Sequence, residues 1–565
     1  MPSYGVLLSA CLLACCVLPG VRTLPTIHHG HSESPSDYDF VIVGGGAAGL
    51  ALGVRLSEVE SQRVLVLEAG QFPEIVKSYL TPGASQQVLG TDLDWGFTTL
   101  PQESLGNRSI VYHREIFHSI TTTLDKYQNT NEAQRRAWVV SLGNQGWSWE
   151  SVLPYFVKSN KFVPVNVAPY QTFDQSAYAP DGPIALSYPT FVYDSSTALI
   201  EALAAQEPLV LDAHQQRVSA YDGYFKPVRG RPNLVVRPLS QVQSVILEQR
   251  NGSLTATGVV LSDYASGQTQ NITACKEVVL SAGTFQTPQM LMLSGIGPEE
   301  TLSEFGIQQY VINKNVGRNM EDHFYFSVIA RAGANASASS LYNRIDLLQA
   351  AEAECTSNKS GPLTTPIGPT YGFRQLSQAE LESLGAAQAL GAQTNQAHIE
   401  YLWENIYYPT GPSMTLDQYP PNKNESFISV TAALLSPVSR GNVTLMTNSI
   451  QDGPAINVNY LESEVDQRIA LGEVVPGADV DDDATLLEYI KSTLLPVWHP
   501  SGPCRMLPQA QGGVVDNRLR VYGVNGLRVV DASIIPVVPD SHIQGPVYMV
   551  AEKAADMIKQ DYGLV

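Results

Sequence analysis

The sequence predicts an α/β fold: one domain built on a parallel sheet with helices against it, interleaved with a second, α+β domain. Three observations predict this. An apolar run, Tyr38–Val43, leads directly into Gly44-Gly45-Gly46-Ala47-Ala48-Gly49. Residues 50–56 then begin a helix, and a second apolar run, Val64–Leu67, ends on the acid Glu68. The length of 565 residues exceeds what one ordinary core supports, so two closely joined domains are expected. Strand, glycine-rich turn, helix, strand and acid, in that order, form the Rossmann-like unit that binds a dinucleotide.

The elements follow along the chain. Residues 1–23 read as a secretory signal peptide, because residues 6–18 are apolar but too short to span a bilayer. Residues 24–37 are polar and rich in His, Ser and Pro, as a linker is. After the nucleotide-binding unit, residues 234–236, 242–247, 259–261 and 277–280 are β-branched or apolar runs that read as strands. Residues 320–490 are richer in polar loops and mixed segments, and carry the aromatic cluster Tyr401, Trp403, Tyr407 and Tyr408. Residues 526–531 form a last strand, and 547–558 have the spacing of a closing helix.

Composition narrows the class. Hydrophobic residues make up 44% and charged residues 16%, which describes a well-buried globular protein. A net charge of -20 argues against nucleic acid and anionic membrane surfaces as partners. Seven acceptor sequons, at Asn107, Asn251, Asn271, Asn335, Asn358, Asn424 and Asn442, agree with secretion and N-glycosylation. Outside the expected signal only Cys275, Cys355 and Cys504 remain, which allow one disulfide at most. No Cys/His spacing suggests a metal site.

Each glycine of the fingerprint has a physical task. Gly44 permits the tight turn, Gly46 lets a pyrophosphate approach the backbone at the helix N-terminus, and Gly49 lets helix and strand pack closely. Glu68 stands where an acid holds ribose hydroxyls. The fingerprint alone does not separate NAD from FAD. Far along the chain lie two histidines in Gly/Pro-rich turns: His499 in Trp498-His499-Pro500-Ser501-Gly502 and His542 in Asp540-Ser541-His542-Ile543-Gln544-Gly545. An unperturbed imidazole, with a pKa of about 6.5, can take a proton from an alcohol near neutral pH, so a redox cofactor with two histidines points to alcohol oxidation.

Further motifs resemble the glucose-methanol-choline (GMC) flavin oxidoreductases. The run from Gly283 through Pro298 matches a signature of that family at its defined positions. Asp94-Trp95-Gly96-Phe97, Gly146-Trp147-Ser148-Trp149, the segment from Asn315 to Asp322-His323, Ser439-Arg440-Gly441 and both histidine turns are also similar to it. The resemblance runs from about residue 38 to the end. It implies FAD, with Gly44, Gly46 and Gly49 at the pyrophosphate, Glu68 at the ribose, and Val242 meeting adenine through its backbone. It implies Asp531 and Ala532 near the pyrophosphate and flavin, and His542 with Ile543 beside the isoalloxazine. His499 matches the catalytic histidine and His542 its second position. Trp498, Tyr401 and Trp403 are candidate substrate walls. On this reading residues 38–115, 215–320 and 500–565 form the FAD-binding domain, and 116–214 and 321–499 the substrate-binding domain. The partners are a small-molecule alcohol and oxygen or another electron acceptor, with a place in fungal secondary metabolism.

One departure stands out. The family carries a Gly-Gly-Ser-Ser segment that packs against the flavin, and residues 112–123 here contain none. Ser119 and the neighbouring threonines offer hydroxyls, but the close backbone approach of glycine is lost. Neither His113 nor His118 is a clear flavin-linking residue. Two alternatives to alcohol oxidation follow: a non-redox cyclase on the same fold, and a homologue without activity.

Overall fold

The chain enters its main sheet at β1 (Tyr38–Val43), almost wholly buried, as a strand covered on both faces must be. The computed structural model describes residues 38–564 except 76, 85–88, 92–93, 114–141, 166–172, 204–210, 264–267, 334–336, 340, 342–343, 367, 369, 408–424 and 473–481. The expected signal peptide and linker therefore lie outside the described residues, as do Asn335, Tyr408, Asn424 and residues 114–123 of the stretch that departs from the family pattern.

Helix α1 (Ala47–Leu56) begins inside the glycine fingerprint, with Gly46 as its N-cap residue, and buries nearly every side chain. Then come β2 (Val64–Leu67), α2 (Trp149–Ser159), β3 (Leu234–Arg237), β4 (Ser240–Arg250), β5 (Ser253–Asp263) and β6 (Thr269–Leu280). Helix α3 (Gly283–Leu293) opens the family-like signature. The middle of the chain supplies β7 (Phe324–Ala332), β8 (Thr370–Arg374), β9 (Ile399–Glu404), β10 (Ser426–Leu434) and β11 (Leu495–Pro496). Strand β12 (Leu527–Val529) and helix α4 (Gln544–Asp561) close the fold.

The first sheet has the order β3-β2-β1-β6-β5-β4, with β12 added to β6. Its core is parallel: β1 pairs with β2 and β6, β2 with β3, and β6 with β12. Strand β6 serves two purposes. Its first part pairs antiparallel with β5, while Val278, Val279 and Leu280 pair with both β1 and β12. Of the four expected runs in the 234–280 region, 234–236 and 277–280 are therefore strands of the parallel sheet, and 242–247 and 259–261 belong to an antiparallel ribbon that grows out of it through the first part of β6.

The second sheet has the order β8-β9-β10-β7-β11 and pairs antiparallel throughout. Four of its five strands lie within residues 320–490, read from sequence as richer in polar loops and mixed segments, where the structure has an ordered sheet. Strand β9 reads Ile-Glu-Tyr-Leu-Trp-Glu, an alternation that resembles a strand with one wet face. Yet Glu400 is fully buried and Glu404 is 8% exposed.

The termini of the fold meet. Glu552 on α4 is fully buried and is satisfied by Arg55 on α1 at 2.9 Å, Lys158 on α2 at 3.0 Å and the Tyr224 hydroxyl at 2.9 Å. A carboxylate removed from water needs such donors to persist. No disulfide joins Cys275, Cys355 and Cys504 to one another. No helix among the described residues is long and apolar enough to cross a membrane.

Candidate active site

Side chains alternate across a strand, so one face of the second sheet can be read from its register. Tyr325 on β7 lies opposite Ala433 on β10, which lies opposite Glu400 on β9, which lies opposite Phe373 on β8. Tyr371 shares that face through its partner Leu402. Strand β11 pairs Phe324 with Pro496 and Tyr325 with Leu495, and the Val497 amide donates to the His323 carbonyl at 3.0 Å. This register delivers His499 to the site face beside His323.

His499 and His542 meet there, although both come from turns. Their ring centroids are 4.8 Å apart at 45°. His542 Nε2 lies 3.0 and 3.2 Å from the two carboxylate oxygens of Glu400. Its turn is pinned by Asp540, which accepts from the Ala397 amide at 2.6 Å just before β9. The Tyr371 ring centroid lies 5.8 Å from that of His542. On the other side, His499 Nδ1 is 3.0 Å from Nδ1 of the fully buried His323. Burial, with some help from neighbouring His542, pushes the pKa of His323 down to about 3.

The loop before β7 organises this arrangement. The His499 amide donates to Asp322 at 2.8 Å, and the same carboxylate accepts from the hydroxyls of Tyr112 and Tyr460. Glu321 accepts from Arg505 at 2.9 Å, Arg440 at 3.0 Å and the Val538 amide at 2.8 Å. It also exchanges backbone hydrogen bonds with Ser501. Three successive residues therefore hold the His499 turn, and Glu321 also ties down Val538, just before the His542 turn. Thr284, at the start of α3, donates to the Pro500 carbonyl at 2.7 Å and anchors the His499 turn from below. Trp498 pays for the sharp turn with a φ of 61°, left-handed backbone that costs a bulky residue on the order of 1 kcal/mol.

The fingerprint has the form of a phosphate cradle. Gly44 has φ +105°, and a Cβ there would lie 2.3 Å from the Ser281 carbonyl oxygen. A Cβ on Gly49 would lie 1.9 Å from the Gly44 carbonyl oxygen, so only glycine lets α1 approach the turn. A Cβ on Gly46 would meet nothing within 4 Å, which leaves open space at a helix N-terminus with no acidic residue in its first turn. Buried Glu68 faces this turn, accepting from the Gly45 amide at 2.6 Å and the Gly70 amide at 2.8 Å. Burial pushes its pKa up and those amides oppose the shift. Beside the histidines, the hydroxyls of Ser501 and Ser541 are buried with no hydrogen-bond partner among the described residues. An open pyrophosphate cradle at one end and unsatisfied polar atoms at the other fit FAD.

Other expected residues have different neighbours. Asp531 is spent on protein donors: it accepts from the Gly283 amide, Thr287, and both the amide and hydroxyl of Ser533. It joins the end of β12 to α3, and Ala532 is buried beside it. Val242 is buried at a bulge in β4, and Ile543 is the N-cap residue of α4. Tyr401 and Trp403 project from the opposite face of β9 to Glu400, because they pair with Gly372 and Thr370 on the other phase of the pleat. They do not share the face of Glu400, the partner of His542, whereas Tyr371 and Tyr325 do. Trp498 stands beside Tyr325, ring centroids 6.5 Å apart. Sequence reasoning missed the roles of Glu400, His323 and Asp322. The last two ended a family-like segment whose conspicuous Asp-His pair was the available signal.

Two stretches of the chain, residues 122–325 and 437–551, match the GMC oxidoreductase family. The dehydrogenase pkfF of Emericella nidulans is 31% identical, with 96% of each chain covered. A patulin synthase of Aspergillus clavatus is 29% identical over 92% of this chain and 91% of that one. In structure, the formate oxidase of Aspergillus oryzae is similar with a TM-score of 0.81 at 26% identity, covering 94% of this chain and 99% of the other. A fungal aryl-alcohol oxidase gives 0.78 at 25% identity, covering 94% and 100%. With the cradle, the two histidines and these matches together, the chain belongs to the GMC oxidoreductases and is an FAD-dependent alcohol oxidoreductase.

Proposed function

We propose that this enzyme oxidises an alcohol with His499 as general base, and that the substrate is an aromatic or polyketide-type alcohol of fungal secondary metabolism. The observation that carries the reading is the meeting of His499 and His542 on one sheet face, 4.8 Å apart, with different partners behind each ring. His499 takes the hydroxyl proton of the alcohol. His542, as an imidazolium paired through Nε2–H with the Glu400 carboxylate, donates its Nδ1–H to the same oxygen and steadies the negative charge that develops there. FAD, when bound, accepts the hydride that leaves the carbinol carbon. Tyr371 and Tyr325 offer apolar walls with polar tips to a flat substrate. The patulin synthase and aryl-alcohol oxidase among the similar proteins support that substrate class.

Replacing His499 with Ala should leave the flavin spectrum intact and slow anaerobic flavin reduction by an alcohol about 100- to 10,000-fold, the usual worth of a positioned base. Unchanged reduction in stopped-flow mixing would remove His499 from the role. Equal indifference to aryl, aliphatic and sugar alcohols would reject the substrate class.

We further propose secretion and N-glycosylation. Asn107, Asn251, Asn271 and Asn358 are exposed, which supports this reading. Asn442 is half-buried in the middle strand of a small sheet and is the poorest acceptor of the five described. Glycosidase treatment of protein from the culture medium should increase gel mobility; no shift would argue against modification.

A further inference from the structure

We infer that His323 is a positioning residue that fixes His499 in the Nδ1–H tautomer, so that Nε2 of His499 is the atom that receives the substrate proton. The inference rests on His499 being the base. It starts from the contact between the two Nδ1 atoms at 3.0 Å, with the rings nearly perpendicular at 87°. Two neutral imidazoles in such a contact share one proton, and each possible donor has a different chemical consequence.

If His323 donated, His499 would carry its own proton on Nε2. Its lone pair would then face a fully buried ring and not an alcohol. Protonating that atom would also set two N–H groups against each other. If His499 donates, its Nε2 keeps the lone pair, and taking up a proton there leaves the contact with His323 intact. Only the second arrangement serves both the resting and the protonated state of the base.

His323 is suited to remain the acceptor. It is fully buried, and its pKa of about 3 keeps the ring neutral throughout the range where an imidazole base operates. Its position is fixed by the strand register, through the hydrogen bond from the Val497 amide to its carbonyl. The His499 backbone is fixed independently by Asp322. The ring of His499 is therefore held at two points.

The two catalytic imidazoles differ in what lies behind them. His542 faces the Glu400 carboxylate, a partner that favours an N–H pointing toward it and stabilises positive charge. His499 faces a neutral nitrogen, which orients it without stabilising the imidazolium to the same degree. The titratable groups around His499 are His323, His542 with Glu400 behind it, and Asp322 at its backbone amide. Exchanging the neutral partner would alter the pH at which the base is lost.

The test uses the flavin-loaded enzyme labelled with ¹⁵N-histidine, without substrate, at pH 7.5. The His499 signals are assigned by their absence in His499→Gln. The expected pattern is a protonated Nδ1 and an unprotonated Nε2; an Nε2–H tautomer would overturn the inference without any His323 variant. In parallel, His323→Phe keeps a ring and removes the acceptor, whereas His323→Asn restores an acceptor near the Nδ1 position. His323→Phe should lower the limiting rate of flavin reduction about 10- to 1000-fold, with KM little changed and the acid limb of the pH profile moved. His323→Asn should recover most of the rate. A His323→Phe enzyme with wild-type rate and pH profile would also overturn the inference. If His499→Ala itself reduces flavin normally, the reading of His499 as base fails instead, and the two failures are distinguishable.

Discussion

Glu404 lies on the same face of β9 as Glu400 and is nine-tenths buried. Burial, and then the nearby Glu400 charge, push its pKa up to about 7. The sign of the consequence is fixed. The folded carboxyl stays neutral to about pH 7, while the unfolded one ionises near 4.5, so its share of stability is present below 4.5 and lost as pH rises through 7. Glu404→Gln should raise the denaturant midpoint at pH 8, by about 1–3 kcal/mol in stability, and change little at pH 4. A gain that did not depend on pH, or a loss at pH 8, would contradict this. The same residue explains a limit of sequence reading. His499 and His542 were legible from residue type and turn context. Their partners His323 and Glu400 are 176 and 142 residues away in sequence, and only strand register joins them. A buried Glu in a strand looks like a surface residue until the fold closes over it.

At the scale of elements, the fingerprint separates two jobs that glycine performs. Gly49→Ala would drive a methyl group into the Gly44 carbonyl, so the flavin-free protein should lose about 1–3 kcal/mol or more, measured by thermal or urea unfolding. Gly46→Ala meets open space with φ near -74°, which alanine adopts readily. That variant should fold with near-normal stability yet retain less flavin through purification, read as the ratio of 450 to 280 nm absorbance. Equal flavin content in Gly46→Ala and wild type would show that the space at Gly46 is not needed by the cofactor. Elements with continuous apolar runs, β1, β2 and α1, were legible because burial on both faces leaves a compositional mark. The second sheet was not, since its strands mix buried acids, hydroxyls and aromatics whose environment is decided by tertiary pairing.

For the molecule as a whole, buried neutral histidines set an acid limit. His323 and His398 have pKa values lowered by burial to about 3 and about 4. Both are depressed in the folded state, so their contribution is complete above about pH 6.5 and is lost as pH falls toward the folded values, because the unfolded chain takes up the protons first. As pH falls from about 6.5 to 4 these two histidines therefore work against stability while Glu404 works for it, and His323→Phe should shift the urea midpoints upward on the acid side relative to wild type. Midpoints unchanged by the substitution would place the acid sensitivity elsewhere.

The meeting of α1 and α4 around Glu552 also has a consequence for biosynthesis. A ribosome releases the glycine fingerprint early, but the ion-pair partner that covers α1, strand β12 of the parallel sheet and His542 itself all lie more than 450 residues further along. The nucleotide cradle stays uncovered for nearly the whole of translation, in need of protection from misassembly. The enzyme becomes competent only once the His542 turn and α4 have emerged, so a product cut before them would be inert rather than partly active.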